Sequence, residues 1–165
     1  MPRVYLSLGS NIDRELHLRA AYRALSAAYG ELRLSSVYES ESVGFSGDHF
    51  FNLVIGIDTD CGVGELAANL RAIEEANGRS RSGPKFSSRT LDIDVLTYGD
   101  AHGVIDGVKL PRAETLKNAF VLQPLAEIAG GERHPVTGKT YAEHWAEYDK
   151  AKQMLWVVPF SWGSC

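Results

Sequence analysis

The chain has the length and composition of one soluble globular domain. It contains 165 residues with a mass of 18.1 kDa, and a chain of this length should bury roughly 68–70% of the surface that its unfolded form exposes. Its 44% hydrophobic and 23% charged residues exclude a disordered or collagen-like chain. The net charge of −4 disfavours a general nucleic-acid-binding surface.

Cysteine usage and apolar runs predict where the protein resides. Cys61 and Cys165 lie far apart in the sequence and do not have the spacing of metal ligands, which favours a reducing compartment. The N-terminal apolar run is too short and broken for a signal peptide. The longest apolar stretch, residues 50–57, contains Asn52 and Gly56 and is too short and too polar to span a bilayer. We therefore expect a cytoplasmic protein with no membrane contacts.

Short strands and helices alternate along the chain. Apolar residues at helical spacing predict helices, and short apolar runs bounded by polar residues or glycine predict strands. In the first half, these patterns predict strands over residues 4–7, 32–38 and 50–58, a turn at Gly9-Ser10-Asn11, and a helix over 18–29 that ends at Gly30. In the second half, they predict a helix from Leu66 to Asn77 that ends at Gly78, a strand over 91–98, and helices around 114–120, from Pro124 and after the capping box Thr140-x-x-Glu143.

The order of these elements predicts the fold class. The sequence β-α-β-β-α-β is that of the ferredoxin-like unit. We expect an α+β sandwich with a mainly antiparallel sheet, helices packed on it and extra C-terminal helices. With no linker or repeat in the chain, residues 1–165 are expected to form a single domain.

Two aspartates, Asp92 and Asp94, lie on the strand predicted over 91–98. Residues i and i+2 of a strand point to the same face, so the two carboxylates repel each other unless a cation lies between them. The five histidines make no zinc-like pair, and carboxylates favour Mg²⁺, which binds them together with substrate phosphates. The alternative is that Asp-x-Asp only solvates an exposed face of the sheet.

A basic segment directly precedes this pair. Arg79, Arg81, Lys85 and Arg89 place four cations within eleven residues of an acidic chain. Guanidinium groups bind phosphate oxygens in bidentate geometry, and phosphoryl transfer depends mainly on positioning and charge neutralisation. The cations and the aspartates together therefore predict phosphoryl-type transfer. A merely solvated basic loop would not explain Phe86 among the charges.

Four residues suit a flat heterocycle. Asn52 interrupts an apolar strand, and its amide could bond the edge of such a ring, although Asn52 could instead lie at a sheet edge. Phe50, Phe86 and Phe120 could stack on the ring or simply pack in the core.

A set of motifs recurs in the order seen in one known family. They are Leu8-Gly9-Ser10-Asn11, Ser35-Ser36-Val37-Tyr38, Phe51-Asn52, Gly78-Arg79-x-Arg81, Arg89-Thr90-Leu91-Asp92-Ile93-Asp94 and Ala119-Phe120-Val121-Leu122-x-Pro124-Leu125. In these motifs the chain resembles the 6-hydroxymethyl-7,8-dihydropterin pyrophosphokinases of folate biosynthesis. The resemblance covers about residues 3–140, and the block from Arg89 to Asp94 is its most specific part.

The resemblance implies a ferredoxin-like α+β fold and a reaction. Members of the family transfer the β,γ-diphosphate of ATP to the hydroxymethyl oxygen of the pterin and release AMP. The resemblance implies that Asp92 and Asp94 bind two Mg²⁺ ions and act in catalysis with Arg79 and Arg89. It implies ATP-binding residues Glu74, Arg81, Lys85, Arg89 and Arg112, and pterin-binding residues Val43, Phe50, Asn52, Phe86 and Phe120. It also implies that other folate-pathway enzymes are partners.

Departures from the family pattern leave alternatives open. Ser40-Glu41-Ser42 stands where members often carry Thr-x-Pro, and Phe86 stands where tryptophan is common. Arg112-Ala113 stands where a His-aromatic or His-Pro pair usually follows the proline that matches Pro111. One alternative is thus a paralogue that keeps the pterin pocket without the nucleotide contacts. Another is a nucleotidyltransferase, although Ser10 and Asp92 lie 82 positions apart in the sequence. A third is an RNA-binding module, which needs paired aromatic residues on its central strands.

Overall fold

Thirteen elements of secondary structure lie in the residues that the computed structural model describes, which are 1–40, 49–78, 90–151 and 153–162. In chain order they are β1 (Arg3–Ser10), α1 (Arg14–Tyr29), β2 (Arg33–Leu34), β3 (Val37–Ser40), β4 (Phe50–Asp58), α2 (Val63–Ala76), β5 (Asp92–Tyr98), β6 (Gly103–Ile105), β7 (Val108–Leu110), α3 (Glu114–Lys117), α4 (Ala119–Ala129), α5 (Tyr141–Glu147) and β8 (Leu155–Val158). The predicted site residues that lie outside the described residues are Val43, Arg79, Arg81, Lys85, Phe86 and Arg89.

The main sheet has six strands in the order β5-β1-β4-β3-β8, with β2 also paired to β4. All of these pairs are antiparallel. The pairing of β1 with β4 extends from Arg3 opposite Asp58 to Ser10 opposite Phe51. Strands β6 and β7 form a separate hairpin. The predicted α+β class, with an antiparallel sheet and helices packed on it, is confirmed.

Helices cover both faces of the main sheet. Successive residues of a strand point to opposite faces, so Leu53 packs with α1 and α2 residues such as Leu18 and Leu66, while Val54 packs with α4 residues such as Leu122. Burial on both faces explains why β4 is an almost continuous apolar run. The extra C-terminal helices therefore form a second layer on the face opposite α1 and α2.

Two helix ends follow their sequence signals. Gly30 ends α1 and donates its N–H to the Ser26 carbonyl. Its φ of 80° is positive, which glycine adopts without a Cβ penalty. Helix α5 begins with the complete capping box, because the Thr140 hydroxyl accepts the Glu143 N–H and the Glu143 carboxylate accepts the Thr140 N–H.

Other boundaries differ from the prediction. The strand predicted over 32–38 is divided into β2 and β3, because the Ser35 hydroxyl accepts the Val54 N–H at 2.9 Å in place of a regular ladder bond. The turn predicted at Gly9-Ser10-Asn11 begins later, since Gly9 and Ser10 belong to β1.

The helix predicted from Pro124 begins five residues earlier. Asn118 is extended, with φ −110° and ψ 126°, and separates α3 from α4. Helix α4 then begins at Ala119 and contains Pro124 inside it. A proline at the first helical position is favoured because its fixed φ suits a helix start, but here the extended Asn118 sets the start.

The end of the chain extends the sheet. Strand β8 pairs antiparallel with β3, and Phe160 and Trp162 pack against the cluster formed with α1 and α2. The Trp162 ring stacks on Tyr22 with 5.2 Å between centroids. Within the described ranges, every helix is too short or too polar to cross a membrane.

Candidate active site

A row of residues crosses one face of the sheet. Gly9 in β1 pairs with Asp92 of β5 on one side and with Asn52 of β4 on the other, and Asn52 pairs with Tyr38 of β3. Directly paired residues of antiparallel strands point to the same face, and strands lie ~4.8 Å apart, so the backbones of Asp92 and Asn52 are about 10 Å apart. Asp94 shares this face by strand alternation. The register therefore brings the aspartate pair and Asn52 to one surface.

The two aspartates form a strained electrostatic pair. The Asp94 side chain is 27% exposed, and Arg112 Nη1 lies 3.7 Å from its Oδ1. Burial and the charge of Asp92 raise the pKa of Asp94 to about 7, while the Arg112 guanidinium opposes this rise. A divalent cation would remove the repulsion, so the donor set fits Mg²⁺.

Further metal ligands would have to come from elsewhere. In the part of the chain that the structure describes, no three His, Cys, Asp or Glu side chains are grouped to hold a metal ion. Mg²⁺ usually keeps several waters and binds one or two carboxylates plus substrate phosphates. The pair Asp92 and Asp94 matches that partial protein contribution.

Glu74 supports the strand that carries the aspartates. Its side chain is 4% exposed, and its Oε2 accepts the Ile93 N–H at 2.8 Å. Strand β5 is at an edge of the sheet, so this contact satisfies a backbone donor that no further strand can pair. Glu74 on α2 thus fixes the backbone between Asp92 and Asp94.

Asn52 is held against Gly9 and Ser40. Its side chain is 5% exposed, and its Nδ2 donates to Ser40 Oγ at 2.9 Å. A Cβ built on Gly9 would lie 2.9 Å from Asn52 Oδ1 and 3.7 Å from the Phe50 ring. A close approach of this kind requires glycine, because any other side chain would occupy the space beside the amide. The sequence reasoning missed this role of Gly9, whose signal is a glycine inside a strand.

Gly9→Ala is expected to displace the Asn52 amide. The added methyl should cost about 1–3 kcal/mol of stability through overpacking and weaken binding of the pterin that the sequence resemblance implies by about 1–2 kcal/mol. Thermal unfolding and pterin titration calorimetry measure the two effects. Gly131→Ala is the matched control, since its Cβ would meet nothing within 4 Å. Unchanged pterin affinity in Gly9→Ala would contradict this role of Gly9.

Two predicted aromatic residues border this face. Phe50 lies two residues before Asn52 on β4 and therefore points to the same side. Phe120 is the second residue of α4 and is half-buried against the cluster formed by Val54 and its neighbours. Glu127 holds α4 on this face, because its carboxylate accepts the Tyr38 hydroxyl at 2.8 Å.

Glu127 also accounts for part of a sequence motif. Its carboxylate accepts both the N–H of Ser36, at 3.1 Å, and the Ser36 hydroxyl, at 2.8 Å. The motif Ser35-Ser36-Val37-Tyr38 therefore includes the residues that attach β3 to α4. This explains the motif by packing next to the site.

The predicted basic segment, residues 79–89, connects two described elements of the site. Gly78 follows α2 closely, and Thr90 comes two residues before Asp92 at the start of β5. The contact between Glu74 and Ile93 joins these two elements. The segment is therefore flanked by two elements that contact each other beside the aspartate pair.

Comparison with known sequences identifies the family. The sequence model of 7,8-dihydro-6-hydroxymethylpterin-pyrophosphokinase (HPPK) matches residues 5–130. The 2-amino-4-hydroxy-6-hydroxymethyldihydropteridine pyrophosphokinase of Bacillus subtilis is 36% identical over 128 residues, which cover 75% of this chain and 76% of the relative. The enzyme of the same name from Methylorubrum extorquens is 38% identical over 141 residues, covering 80% and 89%.

Solved structures show the same fold. The crystal structure of wild-type HPPK-DHPS of Plasmodium falciparum with pterin and p-hydroxybenzoate aligns with a TM-score of 0.70 at 15% identity and covers 91% of this chain. The chain spans less than half of that protein, 43% of its length. The family match does not support a nucleotidyltransferase or an RNA-binding module. The protein belongs to the 7,8-dihydro-6-hydroxymethylpterin pyrophosphokinase family, a family of transferases that move pyrophosphate from ATP to hydroxymethyldihydropterin in folate synthesis.

Proposed function

We propose that the polar row on the sheet carries this reaction, with the phosphates of ATP at its Asp92 end and the pterin at its Asn52 end. The observation that supports this arrangement is the strand register, which places Gly9 between Asp92 and Asn52. Because Gly9 has no side chain, the Asn52 amide can lie directly against the backbone between the two ends. The carboxylates and the amide thus serve different parts of the two substrates on one surface.

Asp92 and Asp94 hold two Mg²⁺ ions in this proposal. Bound Mg²⁺ would neutralise charge on the phosphates during transfer. The protein contributes a strand with fixed spacing between the two carboxylates, because Glu74 binds the intervening Ile93 N–H. A rigid first set of ligands reduces the cost of ordering the site when nucleotide binds.

Cationic side chains bind the phosphates and stabilise their charge. Arg112 lies beside Asp94 already, and residues 79–89, which follow α2 and precede β5 in the sequence, supply further cations. The residues assigned to ATP are Glu74, Arg81, Lys85, Arg89 and Arg112, with Arg79 and Arg89 acting on the transferring group. Glu74 contributes through its support of β5.

The reaction itself exchanges one phosphorus–oxygen bond for another. The hydroxymethyl oxygen of the pterin forms a bond to the β-phosphorus of ATP and loses its proton. The bond between the β-phosphorus and the α,β-bridging oxygen breaks, and AMP leaves. Arginines near the developing negative charge would stabilise this transition state more than the bound substrate.

The pterin lies at Asn52. The Asn52 amide bonds the polar edge of the ring, and aromatic side chains contact its faces. The residues assigned to the pterin are Val43, Phe50, Asn52, Phe86 and Phe120.

Product analysis tests the proposed function. The protein is incubated with ATP, Mg²⁺ and hydroxymethyl-dihydropterin, and nucleotides are separated by chromatography. AMP formed only when the pterin is present supports the proposal. ADP as the main product would show ordinary γ-phosphoryl transfer, and pterin binding without turnover would indicate the impaired paralogue.

We also propose that the protein works beside other folate-synthesis enzymes. Support comes from relatives in which the matching region is part of a longer chain, such as the bifunctional protein FolKE of Lactococcus lactis, of which the match covers 38%, and HPPK-DHPS of Plasmodium falciparum. Co-purification of the tagged chain with the DHPS enzyme of its own organism would support the association. Its absence at high protein concentration would contradict it.

Asn52→Ala is expected to weaken pterin binding by about 1–3 kcal/mol, because a buried polar group of the ring loses its partner. ATP affinity should stay nearly unchanged, since Asn52 lies about 10 Å from Asp92. Titration calorimetry with each ligand measures the pterin affinity and the ATP affinity separately. Ser40→Ala is the control for the hydrogen bond between Ser40 and Asn52. Equal weakening of both ligands would assign Asn52 to stability instead of binding.

Mg²⁺ affinity should depend on pH near neutrality. The pKa of Asp94 is raised to about 7, so protons compete with the metal below that pH. Lowering the pH from 8 to 6 is therefore expected to weaken Mg²⁺ binding to the ligand-free protein about tenfold, as one competing proton predicts. Calorimetric titration at the two pH values measures this. Equal affinity at both would show that Asp94 titrates elsewhere or does not bind the metal.

A further inference from the structure

Gln153, in the segment between α5 and β8, contacts the first turn of α4 from outside the helix. Its Oε1 accepts the Ala119 N–H at 2.7 Å, and its Nε2 donates to Asn118 Oδ1 at 3.0 Å. The first N–H groups of a helix have no partner within the helix. Asn118 occupies the cap position but makes no side-chain capping bond, so Gln153 supplies the acceptor that a cap residue usually provides.

The capped turn carries Phe120, which the proposed function assigns to the pterin. Phe120 directly follows Ala119, whose N–H is the capped donor. Because α3 ends at Lys117 and Asn118 is extended, the first turn of α4 does not continue a preceding helix. The bonds from Gln153 tie this turn to a different part of the chain and so restrict where the Phe120 ring can lie.

The same segment reaches the other side of the pterin pocket. Leu155, two residues after Gln153, pairs with Ser40 in β3. Ser40 Oγ accepts the Asn52 amide, at 2.9 Å. Residues 153–155 therefore contact both Ala119, which precedes Phe120, and Ser40, which binds the Asn52 amide. This segment lies beyond residues 5–130, the part that matches the family model.

We propose that Gln153 is a positioning residue for the pterin pocket, which caps α4 and thereby holds Phe120 over the ring. The proposal rests on the proposed function for the identity of the ligand. The capping of α4 by Gln153 does not depend on the ligand, because it rests only on the hydrogen bonds of Gln153 with Ala119 and Asn118. The tests below separate the capping of α4 from the effect on pterin binding.

Amide hydrogen exchange tests the cap. Gln153→Ala should raise the exchange rates of the Ala119 and Phe120 amides about three- to tenfold, as expected from the loss of one net hydrogen bond. Gln153→Glu keeps an acceptor for the Ala119 N–H and should restore slow exchange. Met154→Ala is the control, because the adjacent Met154 side chain is 65% exposed. Unchanged exchange in Gln153→Ala would overturn the proposal.

A double-mutant cycle tests the positioning role. Gln153→Ala should raise the pterin Kd about three- to tenfold, with ATP affinity changed less, and Gln153→Glu should recover most of the loss. In a Phe120→Ala background, Gln153→Ala should have no further effect on pterin Kd, since it acts through the missing ring. A merely structural role would instead lower the unfolding temperature and weaken pterin equally in both backgrounds, which overturns the positioning role.

The failure of the proposed function would be visible separately. Wild-type protein that binds no pterin would overturn the function and, with it, the role of Gln153 toward this ligand. Faster exchange at Ala119 in Gln153→Ala would still establish the cap in that case. Pterin binding by the wild type with an unchanged Kd in Gln153→Ala would overturn the positioning role and leave the proposed function intact.

Discussion

Asp94→Asn is expected to lower kcat/KM by about 10²–10³, because a Mg²⁺ ion supplies several kcal/mol of charge stabilisation and each 1.36 kcal/mol changes the rate tenfold. The amide keeps the shape of the carboxylate but not its charge, so Mg²⁺-dependent ATP binding should weaken too. Pre-steady-state kinetics and calorimetry with ATP at fixed Mg²⁺ measure the two effects. Asp100→Asn, an exposed residue in the turn after β5, is the matched control.

The stability of Asp94→Asn should change in the opposite direction. A carboxyl whose folded-state pKa is raised stabilises the protein fully below its unfolded pKa, and this contribution is lost as the pH rises through about 7. Removing the charge should therefore raise the unfolding temperature of the ligand-free protein at pH 8 more than at pH 5. Loss of activity together with gained stability would separate a site defect from misfolding. Wild-type Mg²⁺ dependence in the variant would contradict the metal assignment.

Arg79→Ala is expected to slow the chemical step by about two to three orders of magnitude, which corresponds to loss of one contact worth about 3–4 kcal/mol in the transition state. Arg79 comes three residues after the end of α2 in the sequence, and Glu74 on this helix contacts β5 beside the aspartates. An arginine that meets charge developing late acts on the transition state more than on substrate binding. Single-turnover kinetics at saturating substrates isolate this step.

Two further measurements define the role of Arg79. ATP affinity should change much less than the single-turnover rate, because a contact made mainly in the transition state contributes little to binding of the substrate in its ground state. Arg23→Ala removes an exposed arginine of α1 and serves as the charge control. Turnover at the wild-type rate once Arg79→Ala is saturated would assign Arg79 to binding alone.

Local patterns were sufficient for several features. The apolar run over 50–58 predicts β4 with its bounds unchanged, and the Thr140 capping box predicts the start of α5. The shared face of Asp92 and Asp94 follows from the two-residue repeat of any strand. Each of these depends on residues close together in the chain, so the amino-acid order alone determines it.

Contacts between distant residues required the tertiary structure. Gly9 lies between Asp92 and Asn52 only because of the register of β1 with β4 and β5, and a shift of one residue would turn Asn52 to the other face of the sheet. Shifts by two residues keep every side chain on its own face, so side-chain alternation does not select among those registers. The cap that Gln153 provides at Ala119 likewise joins residues 34 positions apart. Such contacts are decided by how the whole core packs and not by any local pattern.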